Sequence, residues 1–364
     1  MNRFKINAFA VLIIFMIPTI VLAQFTETKQ INKRFKITPE TQIEITNKYG
    51  KIKINTWEKD SVIFDIKIKV EDKKLSKLEK LVSEVDFDFI NNQHFVIART
   101  KVGENRSGLE KEVINFKETV LQSDGKIEID YTVWMPKANQ LKVENKFGDI
   151  YIDDYLGDIE IILSNGNLKS HDFSGKTNLK LSFADATINQ MKTGRLDCNY
   201  SEIYIKKADK LQIYSKSSDF EITEINELTA ESRRDKFRIQ LIDVLDAKGS
   251  FTNYRISELT NNLKLKTEYG DLDIEKVAPE FKSVYIESKS TDMNLYFNEK
   301  SEFGFDITHT KSQTSFCRKM EIKKEEVLDE KEKKVQLTGN FGSVTKATKL
   351  VINASGGGIN IMNY

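Results

Sequence analysis

One loose phrase recurs along most of this chain and limits what it can fold into. It runs apolar, any, apolar, a polar stretch, a turn residue, then apolar, any, Ile or Leu. It begins at Ile43 ("IEITNKYGKIKI") and is taken up again at Leu141 ("LKVENKFGDIYI") and Ile159 ("IEIILSNGNLKS"). Further copies begin at Leu179, Leu196, Leu211, Leu228, Leu245, Leu263, Val284 and Phe305, and "LVINASGGGINI" from Leu350 closes the chain. Starts between Leu141 and Phe305 lie 15 to 21 residues apart. Two short alternating stretches per unit at such a period are the mark of a solenoid.

Each stretch alternates over only three to five residues, too short and too polar for an isolated sheet and well below the length of a membrane-barrel strand. The few aliphatic side chains of one winding cannot offset the entropy of ordering it, so no winding folds alone. Stacked windings gain ladder hydrogen bonds above and below and place Leu on Leu and Ile on Ile. The fold class expected is all-β: a right-handed parallel β-solenoid, β-helix-like, with a strand-rich N-terminal part that contains one amphipathic helix.

Gly50, Gly148 and Gly270 are expected to turn the corner of the winding with positive φ. Asp149, Asn167, Asp185, Glu202, Asp219, Asn253, Asp271 and Asp292 hold the position just before the next inward residue, with Lys51 and Lys236 interrupting the row. Such a ladder suits a hard cation or sugar hydroxyls. It is equally what turns select, because Asp and Asn tolerate left-handed backbone, and turn chemistry is the preferred reading.

Three segments are expected. Residues 1–23 read as a signal peptide: a basic "MNRFKIN", an apolar "AFAVLIIFMIPTIVLA" broken by Pro18, and small residues ending at Ala23. The apolar run is shorter than the roughly 20 residues a spanning helix needs, so no transmembrane span is expected after cleavage. Residues 24–140 read as a strand-rich part capping the first windings, and 141–364 as the solenoid repeats. Within the first part "VIFDIKIKV", "VDFDFI", "HFVIA" and "KIEIDYTVWM" alternate as strands, with the polar "EKEVINFKET" as an excursion. "LSKLEKLVSEV" sets Leu75, Leu78, Leu81, Val82 and Val85 on one helical face against the sheet. The charged run Glu321 to Lys334 reads as a solvated loop or protruding helix.

Losing Arg3 and Lys5 with the signal leaves 54 basic against 55 acidic residues, without the concentrated basic face that nucleic acid or an anionic membrane requires. His94, His171 and His309 are scattered, none with a second ligand at zinc spacing, so no metal site is expected. Cys198 and Cys317 fall six repeat copies apart, about 29 Å at one strand spacing per copy, beyond disulfide reach.

"NKYGKIKINTW", "NKFGDIYIDDY" and the terminal "SGGGINI" resemble the putative bacterial adhesin families of unknown function. These include the head-GIN-like group, whose Gly-Ile-Asn signature falls here on Gly358, Ile359 and Asn360. The resemblance implies a secreted or envelope-associated β-helical protein of the kind found in Bacteroidetes. It carries no catalytic residue across, and fold by itself does not fix function.

A β-helix also supports polysaccharide lyases and hydrolases, which need paired carboxylates or a base beside calcium. Asp153 and Asp154 in "YIDDY" are the best candidates, yet neighbouring turn carboxylates are common without chemistry. No Gly-x-Ser-x-Gly elbow is visible, and Gly356-Gly357-Gly358 opens a strand where a phosphate loop opens a helix. The chain is therefore read as a non-enzyme with no catalytic, cofactor-binding or metal residues and no cofactor. The favoured function is an adhesin-like binding protein, exported to the periplasm, outer surface or medium, whose partner is an envelope protein or glycan. A structural or stress-linked envelope scaffold is the first alternative and a carbohydrate-active enzyme the second.

Overall fold

The computed structural model describes residues 24–103, 125–343 and 348–364. The expected signal segment and the excursion "EKEVINFKET" lie outside the described residues.

The N-terminal strands alternate between long cap strands and a true winding. β1 (Phe25–Lys36) is followed by β2 (Gln42–Lys48), β3 (Ile52–Trp57) and β4 (Ser61–Asp72). Next come α1 (Leu75–Ser83), β5 (Val85–Asn91), β6 (Phe95–Val102), β7 (Lys126–Pro136), β8 (Leu141–Lys146) and β9 (Ile150–Ile152). β2 and β3 form a winding that stacks in parallel on β8 and β9, with Ile43 over Leu141 and Ile52 over Ile150. On its other side β6 and β7 continue the parallel ladder, then pair antiparallel with β5 and β4. That change of polarity ends the stack and covers edge groups that would otherwise template another chain. α1 packs on β4, β1 and β5. Leu78 and Leu81 are buried and Val82 and Val85 half-buried, whereas Leu75, expected on the same face, points to solvent.

From β10 (Ile159–Asn199) the windings run as nearly continuous strand through β11 (Glu202–Lys216), β12 (Asp219–Arg233), β13 (Lys236–Ser250) and β14 (Asn253–Glu268). β15 (Asp271–Val277), β16 (Ser283–Lys289) and β17 (Asp292–Phe297) extend them. The inward residues of one winding, Phe220, Ile222, Ile225, Leu228, Ala230, Ser232 and Asp235, are all buried, and Phe237 starts the next. Their spacing is the geometry: steps of two keep one face of a strand inward, and each step of three marks a corner. Leu211, Leu228 and Leu245 stand in one column, and Ile205, Ile222, Ile239 and Ile256 in another. Phe220, Phe237 and Tyr254 stack inside at 4.7 and 5.2 Å between centroids. Outside, ion pairs such as Lys207–Glu224 at 2.8 Å and Lys210–Glu227 at 2.6 Å tie neighbouring windings. Exposed as they are, they add little stability.

Three local readings change. Leu196 pairs with Ile213, and Leu211 with Gly194. The short spacing between those two repeat starts therefore reflects a start two residues late, which period-two alternation hides because the same face stays inward. The run from Glu321 is neither loop nor helix. β18 (Phe303–Thr310) and β19 (Gln313–Phe316) form the last winding, and β20 (Met320–Asp329) with β21 (Lys334–Phe341) form an antiparallel hairpin laid against β18.

The last copy also does not sit at the end. β22 (Lys349–Ser355) inserts between β16 and β18, and β23 (Gly358–Asn363) between β17 and β19. The terminal strands thus have ladder partners on both sides, and the winding from Phe303 becomes the outer one. Phe297, Phe303 and Phe341 close the interior there. Cys198 and Cys317 are both free. The inserted winding makes the separation between their windings seven steps where the repeat order predicts six.

Candidate functional site

Every winding has one sharp corner where the chain enters left-handed backbone. The residues there are Tyr49, Phe147, Asn165, Phe183, Tyr200, Ser217, Arg234, Phe251, Tyr269, Ser290 and Lys311, with φ between 47° and 67°, and Gly356. The expected glycines are thus displaced by one: positive φ falls on the residue before Gly50, Gly148 and Gly270. Those glycines answer a different constraint, close approach. A Cβ on Gly148 would lie 1.9 Å from the Gly50 carbonyl oxygen, and one on Gly270 2.0 Å from that of Thr252.

Two inward positions flank the corner, and in most windings at least one of them is polar. Backbone groups turned inward by the bend would be orphaned in an apolar core, and several of these side chains take them up. Asn145 Nδ2 donates to the Gly50 carbonyl at 2.8 Å, and Asn47 Nδ2 to that of Ile129 at 2.8 Å. The Ser201 amide donates to Ser218 Oγ at 3.3 Å, and the Ser218 amide to Asp235 Oδ1 at 2.8 Å. Burial pushes the Asp235 carboxyl above its ordinary pKa, opposed by hydrogen bonds from Ser215, Ser218 and Arg233.

The row of Asp, Asn and Glu on the outer side is in register: Glu202, Asp219, Lys236 and Asn253 pair in sequence, as do Asp271 and Asp292. Asp149 Oδ1 accepts from both the amide and Nδ2 of Asn167, at 2.9 and 2.8 Å, and Asp292 Oδ1 accepts from the Gly358 amide at 2.7 Å. Asp149 lies below its ordinary pKa: burial raises it, and the hydrogen bonds from Asn167 and Tyr151 outweigh that. These carboxylates therefore tie one winding to the next. Among the described residues no three His, Cys, Asp or Glu side chains converge on a metal position.

Asp153 is half-buried beside an open depression of ≈ 490 Å³ lined also by Lys51, Tyr151, Lys169 and His171. Asp154 is exposed and lies 3.6 Å from His171 Nδ1. His94 is exposed, and His309 is held below its ordinary pKa by burial. Cys198 is buried, which pushes its thiol up and makes it unreactive.

The corner carries a feature that the repeat reading missed. Its aromatic residues form stacked pairs between adjacent windings: Tyr49 with Phe147 at 5.6 Å, Phe183 with Tyr200 at 5.0 Å and 3°, and Phe251 with Tyr269 at 5.1 Å. Tyr49 packs partly against the core; the other five are exposed, Phe183 at 61% and Tyr200 at 49%. A bulky side chain in left-handed backbone costs roughly 1–2 kcal/mol, and an offset-stacked pair returns about 0.5–1.5 kcal/mol. The signal lay in the aligned copies: "NKYG", "NKFG" and "TEYG" carry the ring one place before the glycine, and "SFAD", "NYSE" and "SFTN" carry it at the same place without one.

No family model matches the chain, and no curated protein does. Its structural neighbours are putative adhesins. A putative cell adhesion protein from Clostridium sporogenes aligns at 10% identity over 92% of this chain and 100% of that one, with a TM-score of 0.17. A putative adhesin from Parabacteroides merdae aligns at 12% identity over 74% and 92%, with a TM-score of 0.28. One from Bacteroides fragilis aligns at 11% over 92% and 96%, with a TM-score of 0.25. At these scores the likeness transfers no residue, ligand or activity. Among the described residues no helix is long and apolar enough to cross a membrane.

Proposed function

We propose that this chain is an exported, adhesin-like binding protein without catalysis of its own, which offers the left-handed edge of its solenoid to an envelope protein or glycan. The carrying observation is the row of exposed aromatic residues held in left-handed backbone from Phe147 to Tyr269. A corner needs no ring, since Asn165 and Ser217 make the same turn. Strained residues that do not serve the core point to use at the surface. A repeated edge also suits adhesion, because many weak contacts along one partner multiply.

The scaffold reading draws on outer acids such as Asp149 and Asp292, each of which accepts from an amide of the neighbouring winding. Mild crosslinking of the chain in its own envelope, together with a glycan array probed with the same protein, separates the two. Recovery of a crosslinked partner or a glycan signal through the aromatic edge supports binding; silence in both leaves the scaffold. Turnover of acidic polysaccharides with and without calcium tests the non-catalytic assignment, and any turnover would overturn it.

A further inference from the structure

Resting on that binding reading, we infer that the stacked aromatic pairs form a platform for a neutral polysaccharide chain lying along the solenoid edge. The central pair, Phe183 and Tyr200, is its main contact. Their centroids are 5.0 Å apart with planes 3° from parallel. That separation is close to one strand spacing, and both rings stay open to solvent, Phe183 at 61% and Tyr200 at 49%.

The platform is one ring wide. On one side runs the acid and amide row, with Asp185 and Glu202 beside the central pair; on the other stand Ser182 and Asn199. A pyranose ring has the matching form, a C–H face that packs on an aromatic ring, bordered by hydroxyls that both donate and accept. A lipid surface or a large protein partner takes a broad apolar patch. Nucleic acid bases also stack on aromatic rings, but their phosphates require a basic groove, and here the central pair is flanked by the carboxylates of Asp185 and Glu202. Those two carboxylates repel uronic acids at the central pair, which selects a neutral glycan there.

Spacing argues for a chain over a single sugar. Between the first and second pairs lies the winding of Asn165, and between the second and third lie those of Ser217 and Arg234. At about 4.8 Å per winding the pair centres are roughly 14 and 19 Å apart. Only an extended ligand reaches two of them, so affinity rises with oligosaccharide length.

The test is affinity electrophoresis of the full mature chain through gels holding xyloglucan, mixed-linkage β-glucan, galactomannan, mannan or dextran, with polygalacturonate for comparison. It is run beside a Phe183→Asn/Tyr200→Asn double variant. Asn165 already occupies this corner, so the variant removes the rings and keeps the turn. We expect retardation by at least one neutral polysaccharide, tenfold or more weaker in the variant, at a melting temperature within about 2 °C of the parent. Retardation unchanged in the variant, or stronger on polygalacturonate, overturns the inference. So does binding lost in step with a large fall in melting temperature, which assigns the rings to the fold. If no neutral polysaccharide retards the parent, this inference fails; a partner crosslinked in the envelope would then leave the broader binding reading standing.

Discussion

The amide of Ser218 donates to Oδ1 of Asp235 at 2.8 Å, which places a carboxyl inside the solenoid at a corner where the two preceding windings place the hydroxyls of Ser201 and Ser218. Asp235 also accepts from Ser215 Oγ at 2.6 Å and from the Arg233 amide at 3.1 Å. All three bonds favour the ionised form, and burial, the larger effect, favours the neutral one.

Asp235 should therefore make stability depend on pH in a definite direction. Its pKa is higher folded than unfolded, so the folded chain holds that proton more tightly. The contribution is fully present below the unfolded value of about 3.9 and is lost as pH rises through the folded one. Asp235→Ser removes it. Urea midpoints of parent and variant, measured from pH 3.5 to 7, should shift in the variant's favour as pH rises; parallel curves would contradict the buried carboxyl.

Inside and outside can be tested on adjacent residues. Ile205 is fully buried and Lys206 exposed. Ile205→Asp buries an unpaired charge and should cost on the order of 4 kcal/mol or prevent folding, whereas Lys206→Asp should stay within about 0.5 kcal/mol of the parent. Equal melting temperatures would mean the facing is misassigned.

The glycine corners make a prediction about contact. Gly148→Ala sets a Cβ 1.9 Å from the Gly50 carbonyl, so backbone must move, and we expect a loss of about 2 kcal/mol or more. Gly304→Ala, whose Cβ would lie 3.9 Å from its nearest neighbour, should be neutral or slightly stabilising. Denaturant titration of the pair decides between close approach and backbone freedom.

Cys198 and Cys317 should remain unlinked. Seven windings at about 4.8 Å separate their windings by roughly 34 Å, and both thiols are free. Alkylation under native conditions should label Cys317, which is partly exposed, and spare the buried Cys198 until the chain unfolds. A peptide joining the two after non-reducing digestion would refute the stacking order.

The repeat, the inward columns and the cap strands were legible in the sequence because alternation by two is a direct consequence of strand geometry, and an inward Leu or Ile in each copy leaves few ways to bury it. The helix at Leu75 to Ser83 was legible for the same reason at another period, though Leu75 itself turned outward at the helix start. The candidate edge was half visible. The aligned copies bring the outer acids into one row and mark Gly148 and Gly270 as the turn, whereas the strained backbone sits on Phe147 and Tyr269. Glycine at a turn has two causes, freedom in φ and absence of a Cβ, and residue identity does not distinguish them.

What the amino-acid order determined alone was the winding: its length, its inward residues and the row of acids. What only the tertiary structure decided was which winding touches which. The copy from Leu350 lies between those from Val284 and Phe305 because parallel ladders accept any winding of matching alternation, so order along the chain does not dictate order in the stack. The stacked aromatic pairs have the same origin, since rings distant in sequence, such as Tyr49 and Phe147, meet only when two windings lie one strand spacing apart.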